Sequence, residues 1–138
     1  MKNIHVFDAC ALIAYLNNEN GADTVECLLQ KAANNEITII MHKINFLEVY
    51  NYIFKKYNEK AALKLFESIK ISPIKLNTEI SDSIFKTAGR LKSLYKMSLA
   101  DSIGLAESIQ NNGYFVTADH HEIDIVEEKE NLSIVWIR

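Results

Sequence analysis

A single proline and four glycines among 138 residues exclude collagen-like repeats, flexible linkers and low-complexity disorder. The two cysteines, Cys10 and Cys27, have no C-x-x-C spacing; they read as small reduced core residues and are assigned no chemistry. No long apolar run is present. The longest, Ala9 to Leu16, is far below the roughly 20 residues that a membrane-crossing helix needs. An acid at Asp8, inside what would be the apolar region of a signal peptide, argues for cytosolic residence. There is also no excess of basic residues: 15 Lys and Arg against 18 Asp and Glu give a net charge of −3, which taken alone counts against a nucleic-acid role.

What is present is ordinary globular material, 49% hydrophobic and 24% charged, at a length that suits one domain over residues 1–138. Ile4 to Phe7 reads as a strand buried on both faces, with a helix to follow. Ala22, Val25, Leu28, Leu29 and Ala32 recur at helical spacing, predicting an amphipathic helix over about 20–34. A second strand is expected at 37–41, helices at 44–57 and 59–69, and an edge strand near 71–76 carrying Pro73. A helix over 78–95 follows. Ser98 then opens another, whose stripe is Leu99, Ile103, Ala106 and Ile109 and whose stop signal is Asn111-Asn112-Gly113. Tyr114 to Thr117 and Ser133 to Ile137 complete the strands. Strands alternating with helices predict a three-layer α/β/α sandwich around a parallel sheet.

In such sheets ligands bind beyond the carboxyl ends of the strands. Asp8 ends the first strand and Asp119 stands just past the fourth, so neighbouring strands would bring both carboxylates to one edge. Asp101 lies in the first turn of the helix opened by Ser98, provided the preceding helix returns the chain to that edge. Each acid also has a plain structural role available: Asp8 as a helix cap, Asp101 completing Ser98-x-x-Asp101, Asp119 in a turn, and Glu48 on a solvated stripe with Asn45, Asn51 and Lys55. Together they change the balance, because gathered carboxylates repel one another and call for a cation, and oxygen ligands favour Mg²⁺ or Mn²⁺. Gly104 and Ser108 share the helix face of Asp101 and leave room for a close approach.

These residues resemble the PIN domain family, and within it the VapC-type toxin ribonucleases. The resemblance rests on Val6-Phe7-Asp8-Ala9-Cys10-Ala11-Leu12-Ile13-Ala14-Tyr15, Asn45-Phe46-Leu47-Glu48-Val49, Ser98-Leu99-Ala100-Asp101-Ser102-Ile103 and Val116-Thr117-Ala118-Asp119-His120-His121. It implies five parallel strands in the order 3-2-1-4-5 and Mg²⁺- or Mn²⁺-dependent endoribonuclease activity on RNA. Asp8, Glu48, Asp101 and Asp119 would form the acidic site, with Asp8, Asp101 and Asp119 as metal ligands, Thr117 positioning substrate and Asp124 a further candidate ligand. A homodimer and a cognate antitoxin covering the site are implied in the same way.

Three alternatives compete. A receiver-type phosphoacceptor domain needs an aspartate ending the central strand and a lysine after the last one, and neither is found. A zinc site from His120, His121 and Asp124, with His5 or His42, lacks an H-E-x-x-H spacing; histidines on a surface loop are the better reading. A catalytically silent PIN-like scaffold would not need all four acids. If those four surround a metal, the 18 acids less those four leave 14 against 15 bases, and a modest RNA contact through lysines such as Lys43, Lys55 and Lys56 is no longer excluded.

Overall fold

The structure, a computed structural model, describes residues 3–138; Met1 and Lys2 of the expected 1–138 unit lie outside the described residues. Its elements run β1 (Ile4–Phe7), α1 (Ala9–Leu16), α2 (Ala22–Ala33), β2 (Thr38–His42), α3 (Lys43–Lys56), α4 (Glu59–Lys70), β3 (Ile74–Asn77), α5 (Asp82–Leu94), α6 (Leu99–Gln110), β4 (Tyr114–Thr117), α7 (His120–Glu130) and β5 (Ile134–Trp136). The strands pair in the order β3-β2-β1-β4-β5, all parallel, as expected. Period-two alternation divides the core. Phe7, Ile39, Met41 and Val116 face α1–α4, whereas Val6 and Phe115 face the layer of α5–α7. Among the described residues no helix is long and apolar enough to cross a membrane.

Two boundaries move. The edge strand starts at Ile74 instead of 71, because Pro73 has no N–H for the ladder and Ser72 Oγ turns the chain by accepting from the Ile74 N–H at 3.2 Å. The helix expected from 78 starts at Asp82, after Ser81 caps the Ile84 N–H at 3.2 Å, while Asn77 Oδ1 accepts from the Glu79 N–H in a local turn. Ser81 Oγ also donates to Gln110 Oε1 at 3.0 Å, so α5 begins beside the end of α6 and the two run antiparallel. Helix α6 therefore starts at the carboxyl edge, which is the condition for Asp101 to reach it. Nor is α6 a one-sided helix: Ala100 through Ser108 are all buried, between α5, α3 and the sheet, while Leu99 and Ile109 at its ends are exposed. Cys27 is exposed, not core, since it falls off the Val25, Leu28, Ala32 stripe of α2; Cys10 is partly buried.

With so few glycines, asparagine takes over the left-handed positions. Asn18, Asn35, Asn112 and Asn131 all have positive φ, each in the turn after a helix, where asparagine pays the smallest penalty after glycine. Gly113 is needed for a different reason: an added Cβ would lie 2.7 Å from the backbone oxygen of Ile4, where α6 hands over to β4 beside β1. Gly113→Ala is expected to lower unfolding free energy by about 1–3 kcal/mol in urea titrations, because backbone atoms of a central strand cannot step aside.

Candidate metal centre

Two of the proposed acids, Asp8 and Asp119, are also helix caps. Asp8 is the N-cap of α1, its Oδ1 accepting from the Ala11 N–H at 2.9 Å, and Asp119 is the N-cap of α7, its Oδ1 accepting from the Glu122 N–H at 3.2 Å. Because β1 and β4 are neighbours with Phe7 opposite Val116, both caps stand on one edge of the sheet. Thr117 ties them: its hydroxyl donates to Asp8 Oδ2, and its oxygen accepts from the Asp119 N–H at 3.0 Å. Asp101 comes from the first turn of α6, in the same layer as α7 and across the sheet from α1, its own N–H donating to Ser98 Oγ at 3.1 Å.

The tightest grouping is Asp101, Asp119 and Glu122, with one carboxylate oxygen from each lying within 4.8 Å of the others. Opposite ligands of an octahedral Mg²⁺ are about 4.2 Å apart, so this all-oxygen set fits a hard divalent ion. Asp8 stands outside that group, with both oxygens already engaged. Glu122 is the residue the sequence reading passed over. The signal was there, in the pattern Asp119-x-x-Glu122, which sets a glutamate at the third helical position beside its cap; Asp119 accepts from the Glu122 N–H, while the Asp119 N–H goes to Thr117.

Electrostatics report the crowding. Burial pushes the Asp8 carboxyl up to about 7 against the pull of Thr117 and Ala11, with the charges of Asp119 and Glu48 adding to it. Asp101 is pushed up to about 9, first by burial, then by the Glu122 carboxyl beside it and the charges of Asp8 and Asp119. Glu48, largely open to solvent on α3, is also raised, by partial burial and by Glu122. The Cys10 thiol is held up at about 12 by burial and then by the combined charges of Asp8, Asp119, Asp101 and Glu48. All four acids thus act on one point beside α1.

Other candidates are placed elsewhere. Asp124 pairs with His120 Nδ1 at 2.8 Å on the exposed face of α7, away from the carboxylate group. His120 is in a helix, not a loop; its Nε2 donates to the Arg138 carbonyl at 2.8 Å, and its ring stacks on Trp136 at 3.8 Å, pinning α7 to the end of β5. His5 stacks on Tyr114 at the far end of β1, and His42 caps α3 through its Nδ1, so these histidines lie apart from His120, and among the described residues no histidine joins a group of three ligand side chains. Gly104 and Ser108 serve packing: an added Cβ at 104 would meet Phe115 at 3.0 Å and the Asn45 amide at 3.2 Å, and Ser108 Oγ donates to the Gly113 carbonyl. Asn45, expected on a solvated stripe, is fully buried, because the first turn of α3 packs Ile44 against α5 and α6.

A family model described as PIN domain matches residues 5–129. No curated protein matches the chain. Similar solved structures include DNA-bound VapBC from Salmonella typhimurium, at 12% identity over 100% of both chains with a TM-score of 0.72. VapBC-1 from nontypeable Haemophilus influenzae is similar at 16% identity over 97% of this chain and 98% of that one, TM-score 0.70. The Mycobacterium tuberculosis toxin VapC20, described as cleaving the sarcin-ricin loop, is similar at 10% identity over 86% and 92%, TM-score 0.65.

Proposed function

This chain belongs to the PIN domain family, and from that membership we propose that residues 1–138 form a metal-dependent endoribonuclease, the cytoplasmic toxin of a type II toxin–antitoxin pair. The observation that carries the reading is the convergence of Asp8, Asp101, Asp119, Glu122 and Glu48 on one edge of the sheet, at a cost in desolvation and repulsion that a structural role alone does not require. Asp101, Asp119 and Glu122 would hold Mg²⁺ or Mn²⁺, with Asp8, whose oxygens accept from Ala11 and Thr117, as the neighbouring carboxylate. Bound there, the ion supplies counter-charge, an acidified water and stabilisation of the leaving oxygen. Thr117 keeps Asp8 and Asp119 in register through its two hydrogen bonds. Glu48, at the open rim and held above the usual carboxylate range by partial burial and Glu122, would be the base toward the attacking water.

The VapBC complexes among similar structures support an antitoxin partner. So does a cavity of about 350 Å³ lined largely by Leu12, Tyr15, Leu16, Leu29, Leu65 and Ile74, between α1, α2 and α4. The proposal includes a homodimer, for which a second apolar hollow of about 250 Å³, at Phe46, Leu47, Tyr50, Leu63 and Phe66, would be a surface to cover.

The test is cleavage of total cellular RNA by the purified chain. Mg²⁺ or Mn²⁺ is expected to support it, EDTA to abolish it, and added divalent ion to restore it. Intact RNA under all three conditions would favour the silent scaffold instead. Expression alone should arrest growth, and co-expression of the protein encoded beside it should relieve the arrest.

A further inference from the structure

Helix α3 carries a shallow groove, rimmed by polar head groups, that leads away from the metal centre. Glu48, Asn51, Tyr52, Lys55 and Lys56 line a hollow of about 440 Å³, so Glu48 belongs both to the rim of the acidic site and to the wall of this groove. Asn51 and Tyr52 lie one helical turn beyond Glu48, and Lys55 and Lys56 lie two turns beyond it, about 5 and 11 Å along the axis. Away from the metal centre the groove has two ammonium groups and no acid.

Its far end is pre-arranged. Asn17, which caps α1, donates through Nδ2 to Glu19 Oε2 at 2.9 Å and to the Tyr52 hydroxyl at 2.7 Å, and the carboxylate fixes which way the amide points. Lys56 Nζ donates to Asn17 Oδ1 at 3.2 Å and to the Tyr52 hydroxyl at 3.3 Å, and lies 5.6 and 5.4 Å from the ring centroids of Tyr52 and Tyr57. The Tyr52 oxygen therefore accepts twice, and its own proton has no acceptor among the described residues. Glu19 bonds Asn17 and, at 3.1 Å, Arg138, and its charge also reaches Lys56, but neither Lys55 nor Lys56 forms an ion pair with a carboxylate among the described residues. An oriented hydroxyl donor beside two cations is an anion site, and its spacing from Glu48 suits successive phosphates of an extended strand.

Resting on the nuclease reading, we propose that Tyr52, Lys55 and Lys56 form the subsite that grips the backbone phosphates of single-stranded RNA adjoining the bond to be cut. Lys55 and Lys56 act through charge. Tyr52 acts through a hydrogen bond.

The experiment measures binding of a fluorescein-labelled 12-nucleotide polyuridine to the full chain in Mg²⁺, with Asp101→Asn as the parent so that the probe survives. Adding Lys55→Ala and Lys56→Ala together should weaken binding at least about tenfold and flatten the plot of log affinity against log salt by about 0.7 for each lysine. Tyr52→Phe should weaken binding about threefold with the salt slope unchanged. Lys75→Ala, on the edge strand β3, removes the same charge elsewhere and should alter neither. A double variant that binds like Lys75→Ala, or one whose salt slope is unchanged, overturns the subsite; the nuclease reading still stands if the wild-type chain cuts RNA. A parent that does not bind the probe, with a wild-type chain that cuts no RNA, overturns both.

Discussion

Asp101→Asn is expected to reduce metal-dependent RNA cleavage by at least about 1000-fold, on the order of 4 kcal/mol of transition-state stabilisation. The substitution keeps size and shape but removes the charge from the most crowded carboxylate of the centre, the one that meets both Asp119 and Glu122. Ser98 still caps the helix, since that bond uses the backbone N–H of residue 101. The fold should therefore survive; indeed the metal-free variant should be no less stable than the parent, because a repelled buried charge has gone. Asp8→Asn should also lose activity, with a small cost in stability from the disturbed contacts to Thr117 and Ala11. Single-turnover cleavage together with thermal unfolding separates these effects. Full activity in both variants would sink the assignment of the centre.

The second large effect is on stability. Without metal the protein should become less stable as pH rises, opposite to the usual behaviour of salt-bridged carboxylates. The folded state raises Asp8 from an ordinary value of 3.8 to about 7 and Asp101 to about 9, so folding favours the protonated acids. That contribution is fully present below about pH 4, declines as pH climbs, and is exhausted once pH has passed about 7 for Asp8 and about 9 for Asp101. For Asp8 alone, three pH units at 1.36 kcal/mol each amount to about 4 kcal/mol as an upper bound. Thermal unfolding in EDTA should show Tm falling by roughly 10 °C between pH 5 and pH 8. Mg²⁺ at pH 8 should restore most of the loss, and Asp101→Asn should flatten the upper part of the curve. A Tm that holds steady or rises over that range in EDTA would show that the carboxylates are not forced together.

Much of this was readable from local pattern. The strand ending at Asp8, the cap at Ser98, the stop at Asn111-Asn112-Gly113 and the alternation of elements are short-range signals, and each appears in the structure within a few residues of its expected place. The resemblance carried by the four acidic segments supplied the strand order, which alternation alone does not give. Where reading failed, the deciding partner was distant in sequence. Asn45 looked solvated because its helix has a polar stripe, but Asn45 at the head of that stripe packs against α6, more than fifty residues on, while Glu48, Asn51 and Lys55 stay exposed. Helix α6 looked one-sided because a stripe is visible in it, yet its small residues let helices and sheet close around it on every side.

Glu122 shows the same division in the centre itself. Its capping contact with Asp119 is local and was present in the chain from the start, so a carboxylate one turn into α7 beside Asp119 was foreseeable. That it should meet Asp101 depends on the antiparallel α5–α6 pair and on the pairing of β1 with β4, which are long-range events driven by burial of Phe7, Phe115, Val116 and Leu105. Residue types and their intervals settle which groups are able to bind a hard cation and which elements carry them, because propensity, capping and periodicity act within a few residues. Which carboxylates finally share an ion-sized space, and how far their proton affinities rise, is settled by packing, because desolvation and charge repulsion depend on distances that exist only once the core has closed.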